Sequence, residues 1–210
     1  MTFNEPALGR SLLIPPDILH QIDFGVVFGN SQPVELELGC GDGSFLLEWA
    51  GRNPGRNYLG VERLKGRVTK IDRKGRRLGL TNLRGLRLEA SYVLEWMIPP
   101  GSLAGIHVYF PDPWPKKRHH KRRLIQTAFT VLAARALAPG GLLCLRTDHV
   151  EYFAQMEAVM TADKRFERST ESDELLAVKT DFERDFNAEG QPTHHAAWRL
   201  GEPPGSRPWP

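Results

Sequence analysis

The apolar positions of this chain switch repeatedly between a period of two and a period near 3.6. Val34-Glu35-Leu36-Glu37-Leu38 alternates as a strand does and runs into Gly39-Cys40-Gly41-Asp42-Gly43. Phe45, Leu46, Leu47 and Trp49 then recur with helical spacing as far as Arg52. The predicted unit is strand, glycine turn, helix, and it repeats. Tyr58 to Glu62 reads as a second strand, Leu64 to Gly79 as a helix rich in Arg and Lys, and Leu83 to Glu89 as a third strand. Val93 to Ile98 reads as a short helix closed by Pro99-Pro100. Ile106 to Phe110 is the fourth strand and Arg122 to Ala138 the next helix. Gly141 to Arg146 follows the Pro139-Gly140 stop as the fifth strand, His149 to Met160 is helical, and Ala196 to Leu200 is the last strand. Repeating β-α units of this length build a mostly parallel sheet covered on both faces. Residues 1–33 are expected to be an irregular lead-in, with Phe24 and Phe28 docking on the core. The domain proper spans 34–200, and the Pro/Gly-rich 201–210 reads as a loose tail.

Composition narrows the class. At 210 residues the chain is expected to form one domain with a full core. Its 28 basic and 25 acidic residues leave a net charge of only +3, so local clustering matters more than the total. Cys40 and Cys144 lie far apart in apolar surroundings without metal-ligand spacing, which fits a reduced, cytoplasmic compartment and no bound metal. The Leu12-Leu13-Ile14 run is too short for a signal sequence, and no stretch approaches the roughly 18 apolar residues of a membrane span. No obligate protein partner is indicated, and a monomer or a homodimer is expected.

Two regions carry candidate chemistry. Phe110-Pro111-Asp112-Pro113-Trp114-Pro115 joins a proline-fixed acidic turn to six Lys/Arg in the eight residues from Lys116 to Arg123. A carboxylate, a stacking-capable Trp and a cationic block suit a site that holds a nucleobase beside a phosphate backbone. A turn residue is the competing role for Asp112, and a loop anchor that for Trp114. The second region is the glycine turn, which brings backbone N–H groups and a helix start close to a ligand. Glu62, ending the second strand, is placed to accept the hydroxyls of an adenosine ribose. A pyrophosphate would sit badly beside Glu37, so that carboxylate favours a ligand bearing an ammonium or sulfonium group, as S-adenosyl-L-methionine does. Glu89 ends the third strand and could accept from the adenine amino group. Asp148 follows the fifth strand, where a helix N-cap is its rival role. His119, His120, His194 and His195 form pairs without metal spacing, and solvent or phosphate contact is expected of them. The basic helix from Arg63 to Arg77 is either a second RNA surface or a solvated face.

These residues resemble the bacterial tRNA (guanine-N7-)-methyltransferases. The resemblance runs from about Val26 to Trp198 and is carried by Glu37 to Gly43, Gly60-Val61-Glu62, Phe110 to Arg123, Arg146-Thr147-Asp148 and Thr180-Asp181-Phe182-Glu183. It implies a Rossmann-like class I methyltransferase fold with a mostly parallel seven-stranded sheet. It also implies methyl transfer from S-adenosyl-L-methionine to N7 of the variable-loop guanine at position 46 of tRNA. Carried over by position, the cofactor contacts fall on Glu37, Gly39, Gly41, Glu62, Glu89 and Asp112, with Asp112 also the catalytic candidate. Lys116, Asp148, Thr180 and Glu183 become the guanosine-side contacts, and Arg118, Lys121, Arg122 and Arg123 meet the RNA. One departure is Glu89, where the family usually has Asp. A nicotinamide dehydrogenase would share the strand-turn-helix but lacks its GxGxxG spacing here. A non-enzymatic RNA-binding module would leave the Glu37, Glu62 and Asp112 set without a task.

Overall fold

The structure is a computed structural model and describes residues 11–202; the tail expected over 201–210 therefore lies largely outside the described residues. Eight strands form one sheet: β1 (Leu12–Leu13), β2 (Val34–Leu38), β3 (Asn57–Val61), β4 (Leu83–Leu86), β5 (Leu103–Tyr109), β6 (Leu137–Thr147), β7 (Phe166–Ser169) and β8 (His194–Leu200). Their spatial order is β1-β4-β3-β2-β5-β6-β8-β7. Pairing is parallel from β1 to β6 and antiparallel where β8 joins β6 and β7. The helices are α1 (Phe24–Phe28), α2 (Ser44–Arg52), α3 (Lys65–Arg77), α4 (Ala90–Tyr92), α5 (Thr127–Ala136), α6 (Val150–Ala162), α7 (Asp173–Ala177) and α8 (Asp181–Ala188).

Every residue of β2, β3 and β4 is buried, as expected of central parallel strands with helices on both faces. One face packs Leu36, Leu38, Ile106, Val108 and Leu143 against Phe129, Tyr152, Met156 and Met160 of α5 and α6. The other packs Tyr58, Leu83, Tyr109 and Cys144 against Phe45, Leu46, Trp49 and Ile71 of α2 and α3. Phe28 is buried in the first cluster and Phe24 packs against it, so these two residues dock on the core as expected.

The sheet has one strand more than the seven expected. The extra strand is the two-residue β1, on the outer edge beside β4, where the Ser11 N–H also donates to Asp72 Oδ1 at 2.8 Å. Two residues are too few to display a period. The short β7 was missed for a related reason: only Phe166 is buried, and the remaining Glu-Arg-Ser reads as loop. The helix expected from Arg122 starts only at Thr127, because Lys117–Arg122 winds as a separate 3-10 turn. Val93–Met97 is a π turn continuing α4. β6 begins at Leu137, before the Pro139-Gly140 pair, with a register shift against β5 between Leu103 and Gly105.

Candidate active site

The carboxyl ends of β2, β3, β4 and β5 open on a cleft of about 760 Å³. Gly39 lines it, and in the loop that Gly39 opens, Gly39, Gly41 and Gly43 have φ of 76°, 55° and 75°. Gly43 is the residue before α2, and a Cβ there would lie 2.7 Å from Ile71, so only glycine lets the loop pass this close to α3. Glu62 lines the cleft; its Oε1 accepts from the Leu64 N–H at 2.7 Å, which fixes the carboxylate at the end of β3. Glu89 lines it too, exposed, and its side chain accepts from the Tyr92 N–H at 2.8 Å as the cap of α4.

Opposite stands the Phe110–Trp114 turn. Phe110 (φ 51°) and Trp114 (φ 43°) are the two non-glycine residues with left-handed backbone among the described residues, and they flank exposed Asp112. Such strain costs on the order of 1–3 kcal/mol per residue and persists where the surroundings over-determine it, often at functional sites. Here the Phe110 N–H donates to Arg146 O at 2.8 Å, and the Pro113 carbonyl accepts from Arg123 Nε at 2.7 Å. Trp114 faces the cleft with the Arg122 guanidinium 4.9 Å from its ring centroid and His119 edge-on to it.

A smaller recess of about 240 Å³ adjoins the cleft, lined by Glu37, Gly39, Cys40, Gly41, Tyr109, Thr180 and others. Phe182 lines both spaces and packs on Phe110 and Phe186. Thr180 caps α8 by accepting from the Glu183 N–H, and the Asp181 N–H donates to Ser44 Oγ at 3.0 Å, which ties α8 to the start of α2. Glu37 is 3% exposed, and its Oε2 has no hydrogen-bond partner. Burial pushes its carboxyl up to about 8; Arg146 opposes this and Glu62 adds to it. A buried carboxyl with an unpartnered oxygen on a recess complements a cationic ligand once it ionises, so the residues present fit S-adenosyl-L-methionine.

The expected site residues thus divide. Gly39, Glu62, Glu89, Asp112, Lys121, Arg122 and Arg123 line the cleft, while Glu37, Gly39, Gly41 and Thr180 line the recess. Lys116 and Arg118 lie exposed beyond it on the cationic stretch. Asp148 is half-buried before α6, and the helix cap is its neighbour His149, which accepts from the Tyr152 N–H. Arg123 corrects an expectation: its side chain is fully buried, lies over the Tyr152 ring, and donates to Glu151 and Gln155 as well as Pro113. It clamps the Phe110–Trp114 turn from inside instead of presenting its charge to solvent.

Glu183 and His195 are also turned inward. Arg146 donates to Glu171 (3.0 Å), to Glu183 (3.2 Å) and to the Leu175 and Val178 carbonyls, with Tyr109 stacked 4.3 Å below. His195 bridges the same two carboxylates at 3.1 and 3.4 Å, in place of the solvent or phosphate contact expected of it. Burial alone would lower the His195 pKa, but both carboxylates outweigh it and raise it to about 8. Burial alone would raise Glu171 and Glu183; His195 and Arg146 hold both below the usual carboxylate range. Arg146, Tyr109 and Phe182 take no role from the sequence pattern alone, although all three lie inside or beside its motifs. Glu171 carries no local signal at all. Among the described residues no cluster of His, Cys, Asp or Glu is placed to hold a metal ion.

The fold is that of the Rossmann-like class I methyltransferases. The solved 16S rRNA methyltransferase KamB shares it at a TM-score of 0.62 and 18% identity, over 87% of this chain and 96% of that one. Geranyl diphosphate C-methyltransferase from Streptomyces coelicolor, solved with S-adenosyl-L-homocysteine, shares it at a TM-score of 0.53 and 16% identity, over 81% of this chain and 70% of that one. In sequence, residues 31–196 match the family described as "Putative methyltransferase". The tRNA (guanine-N(7)-)-methyltransferase of Bordetella pertussis is 40% identical over 85% of this chain and 70% of its own length. That of Alkalilimnicola ehrlichii is 37% identical over 95% of this chain and 85% of its own. The chain belongs to the tRNA (guanine-N(7)-)-methyltransferase family.

Proposed function

We propose that the protein is a cytoplasmic enzyme that methylates N7 of a guanine in tRNA, the variable-loop guanine at position 46, with S-adenosyl-L-methionine as methyl donor. Beyond family membership, one observation supports this reading: a single cleft has the fixed carboxylate of Glu62 on one wall and, on the other, Asp112 on a strained turn beside a cationic rim. Glu62 would take the ribose hydroxyls, Glu89 the adenine amino group, and Glu37 the positively charged end of the donor, with the Gly39–Gly43 loop giving close backbone approach. S-adenosyl-L-methionine, when bound, supplies an electrophilic methyl group on a positively charged sulfur.

Guanine N7 carries its own lone pair, so no side chain has to remove a proton before transfer. The residues therefore act by orientation, which can contribute up to about 7–11 kcal/mol, and by matching developing charge. Asp112 accepts from the guanine N1–H and N2–H groups, a pair of donors that adenine lacks, and balances the positive charge that the methylated purine acquires. Lys116, Asp148 and Thr180 serve the guanosine side. Glu183 serves it by fixing the first turn of α8, and Arg118, Lys121 and Arg122 meet phosphates. Incubation with unmodified tRNA and isotopically labelled donor, followed by nucleoside analysis, is expected to yield N7-methylguanosine. Label in any other nucleoside, or in none, refutes the reading.

A further inference from the structure

Half of the 28 Lys and Arg residues lie in two short segments: six between Lys116 and Arg123, and eight between Arg63 and Arg77. The first flanks Asp112. The second forms α3 and the residues leading into it, and the site described above uses little of it. Val68, Ile71 and Gly75 are the buried residues of α3. Lys65, Lys70, Arg73, Arg76 and Arg77 are exposed on its other sides. Arg67, Lys70, Lys74 and Arg77 recur at helical spacing, so they form one row along a flank. The row starts at the site, where Lys70 reaches Asp42 at 2.7 Å and Arg67 stands 3.9 Å from Asp42 and 3.8 Å from Glu62.

Helix stability does not account for this composition. Asp72 is the one acidic residue of α3, and it is engaged by the Ser11 N–H and by Arg76. Arg73 and Lys74 stand three and four residues after Lys70, and Arg77 three and four residues after Lys74 and Arg73, an arrangement of like charges that opposes helix formation. Lys65 sits at the end of the helix where the macrodipole disfavours a cation, and only the last-turn Lys74, Arg76 and Arg77 are favoured by it. A solvated face would mix both signs; this one does not.

Its placement relative to the cleft is directional. Arg63, Leu64 and Arg67 line the cleft, whereas Gly75 packs beside Ser11 and Leu83 at the opposite end of the sheet. A helix of this length extends about 20 Å, so the cationic row leads from the mouth of the cleft down the side of the molecule. Building on the tRNA-methyltransferase reading above, we infer that α3 is a second RNA-docking surface. It holds backbone phosphates of the stem adjoining the target nucleotide, while the Lys116–Arg122 stretch holds the loop at the cleft. The ligand it fits is therefore a structured RNA in which an unpaired guanine is continuous with a duplex.

The test is the triple variant Arg73→Gln, Lys74→Gln, Arg77→Gln, with folding checked by thermal melting. Binding is measured without turnover for three ligands: full-length tRNA, a single-stranded decanucleotide containing one guanine, and S-adenosyl-L-methionine. The expected result is tRNA binding weakened by about tenfold or more near 0.15 M salt, with the slope of log affinity against log salt shallower by about three. The decanucleotide and the donor should bind as they do to the wild type. Undiminished tRNA binding, or equal weakening for tRNA and decanucleotide, overturns the inference. The parent reading fails separately, if wild-type protein forms no N7-methylguanosine in the same tRNA preparation.

Discussion

Glu35 and Glu37 stand two positions apart on the same face of β2, in the same low-dielectric layer, and have opposite fates. Glu35 accepts from Trp49 Nε1, Arg56 and His107 at 2.9–3.0 Å; these partners overcome its burial and hold its carboxyl below the usual range. Glu37 has an unpartnered oxygen and a carboxyl pushed up to about 8. A carboxyl that is neutral in the free protein must ionise to receive a cation, so donor binding should release a proton. The affinity for S-adenosyl-L-methionine should accordingly rise with pH up to about 8 and then level, at a slope approaching tenfold per pH unit. Calorimetry in buffers of different ionisation enthalpy reads that proton directly, and Glu37→Gln should abolish both the slope and the proton. Asp112 carries the complementary prediction for the chemical step. Asp112→Asn keeps the size of the side chain but replaces an acceptor with a group that offers its own N–H₂ and no charge. Single-turnover rates at saturating tRNA and donor should fall about 10²-fold, as on losing one electrostatic stabiliser. A rate equal to wild type would leave Asp112 a turn residue.

Between elements, the decisive contacts join strands and helices distant in the chain. Tyr109 comes from β5, Arg146 from β6, Glu171 from the segment after β7, Glu183 from α8 and His195 from β8; they form one cluster, and its Tyr109 lines the recess with Thr180 and Phe182. His195 ties two of these elements at once, and its proton is part of the tie. Its folded pKa, about 8, lies above the ordinary 6.5, so its stabilisation is complete below pH 6.5 and disappears as pH rises through about 8. Glu171 and Glu183 run the other way: their folded values are depressed, so their contribution holds above the ordinary carboxylate value of 4.5 and is lost in acid. Glu37 superimposes its own decline between 4.5 and about 8, which makes the difference between proteins the informative quantity. The melting temperature of His195→Gln should lie below wild type at pH 6 and converge on it above pH 9. A constant gap across that range would show that the proton of His195 contributes nothing to stability. Lys179, which donates to Asn187, Arg184, which donates to the Lys179 carbonyl, His194 beside His195, and His107, held by Glu35, are further basic groups near this cluster.

On the scale of the whole molecule, neighbouring cations in one motif do different work, and stability separates them from binding. Arg123→Gln removes charge-assisted bonds of roughly 1.5–3 kcal/mol each from a buried guanidinium and should lower the melting temperature. Lys121→Gln, at an exposed position, should leave melting unchanged, weaken tRNA binding and reduce the salt slope by about one. The sequence alone could not divide this pair, because a run of Lys and Arg looks the same whether a side chain points out to solvent or back under a turn. What was legible was the alternation of periods: β2 to β6 and β8, with α2, α3, α5 and α6, follow from it within a few residues at most ends. The glycine loop and the strand-end carboxylates Glu37 and Glu62 were legible too, since each sits where a local pattern stops. The two-residue β1, the polar edge strand β7 and the partners of Arg146 were not, because tertiary contact alone defines them. That buried guanidinium also has a consequence in time. Arg146 must wait for Glu171, Glu183 and His195, all later in the chain, before its charge is balanced. As the polypeptide emerges from the ribosome, the five-stranded half that carries the glycine loop and Asp112 is complete long before its keystone is neutralised. An unfinished or prematurely terminated product therefore owns most of the cleft-lining residues together with an uncompensated buried charge, so nonsense fragments should be cleared as misfolded chains rather than persist as weak competitors.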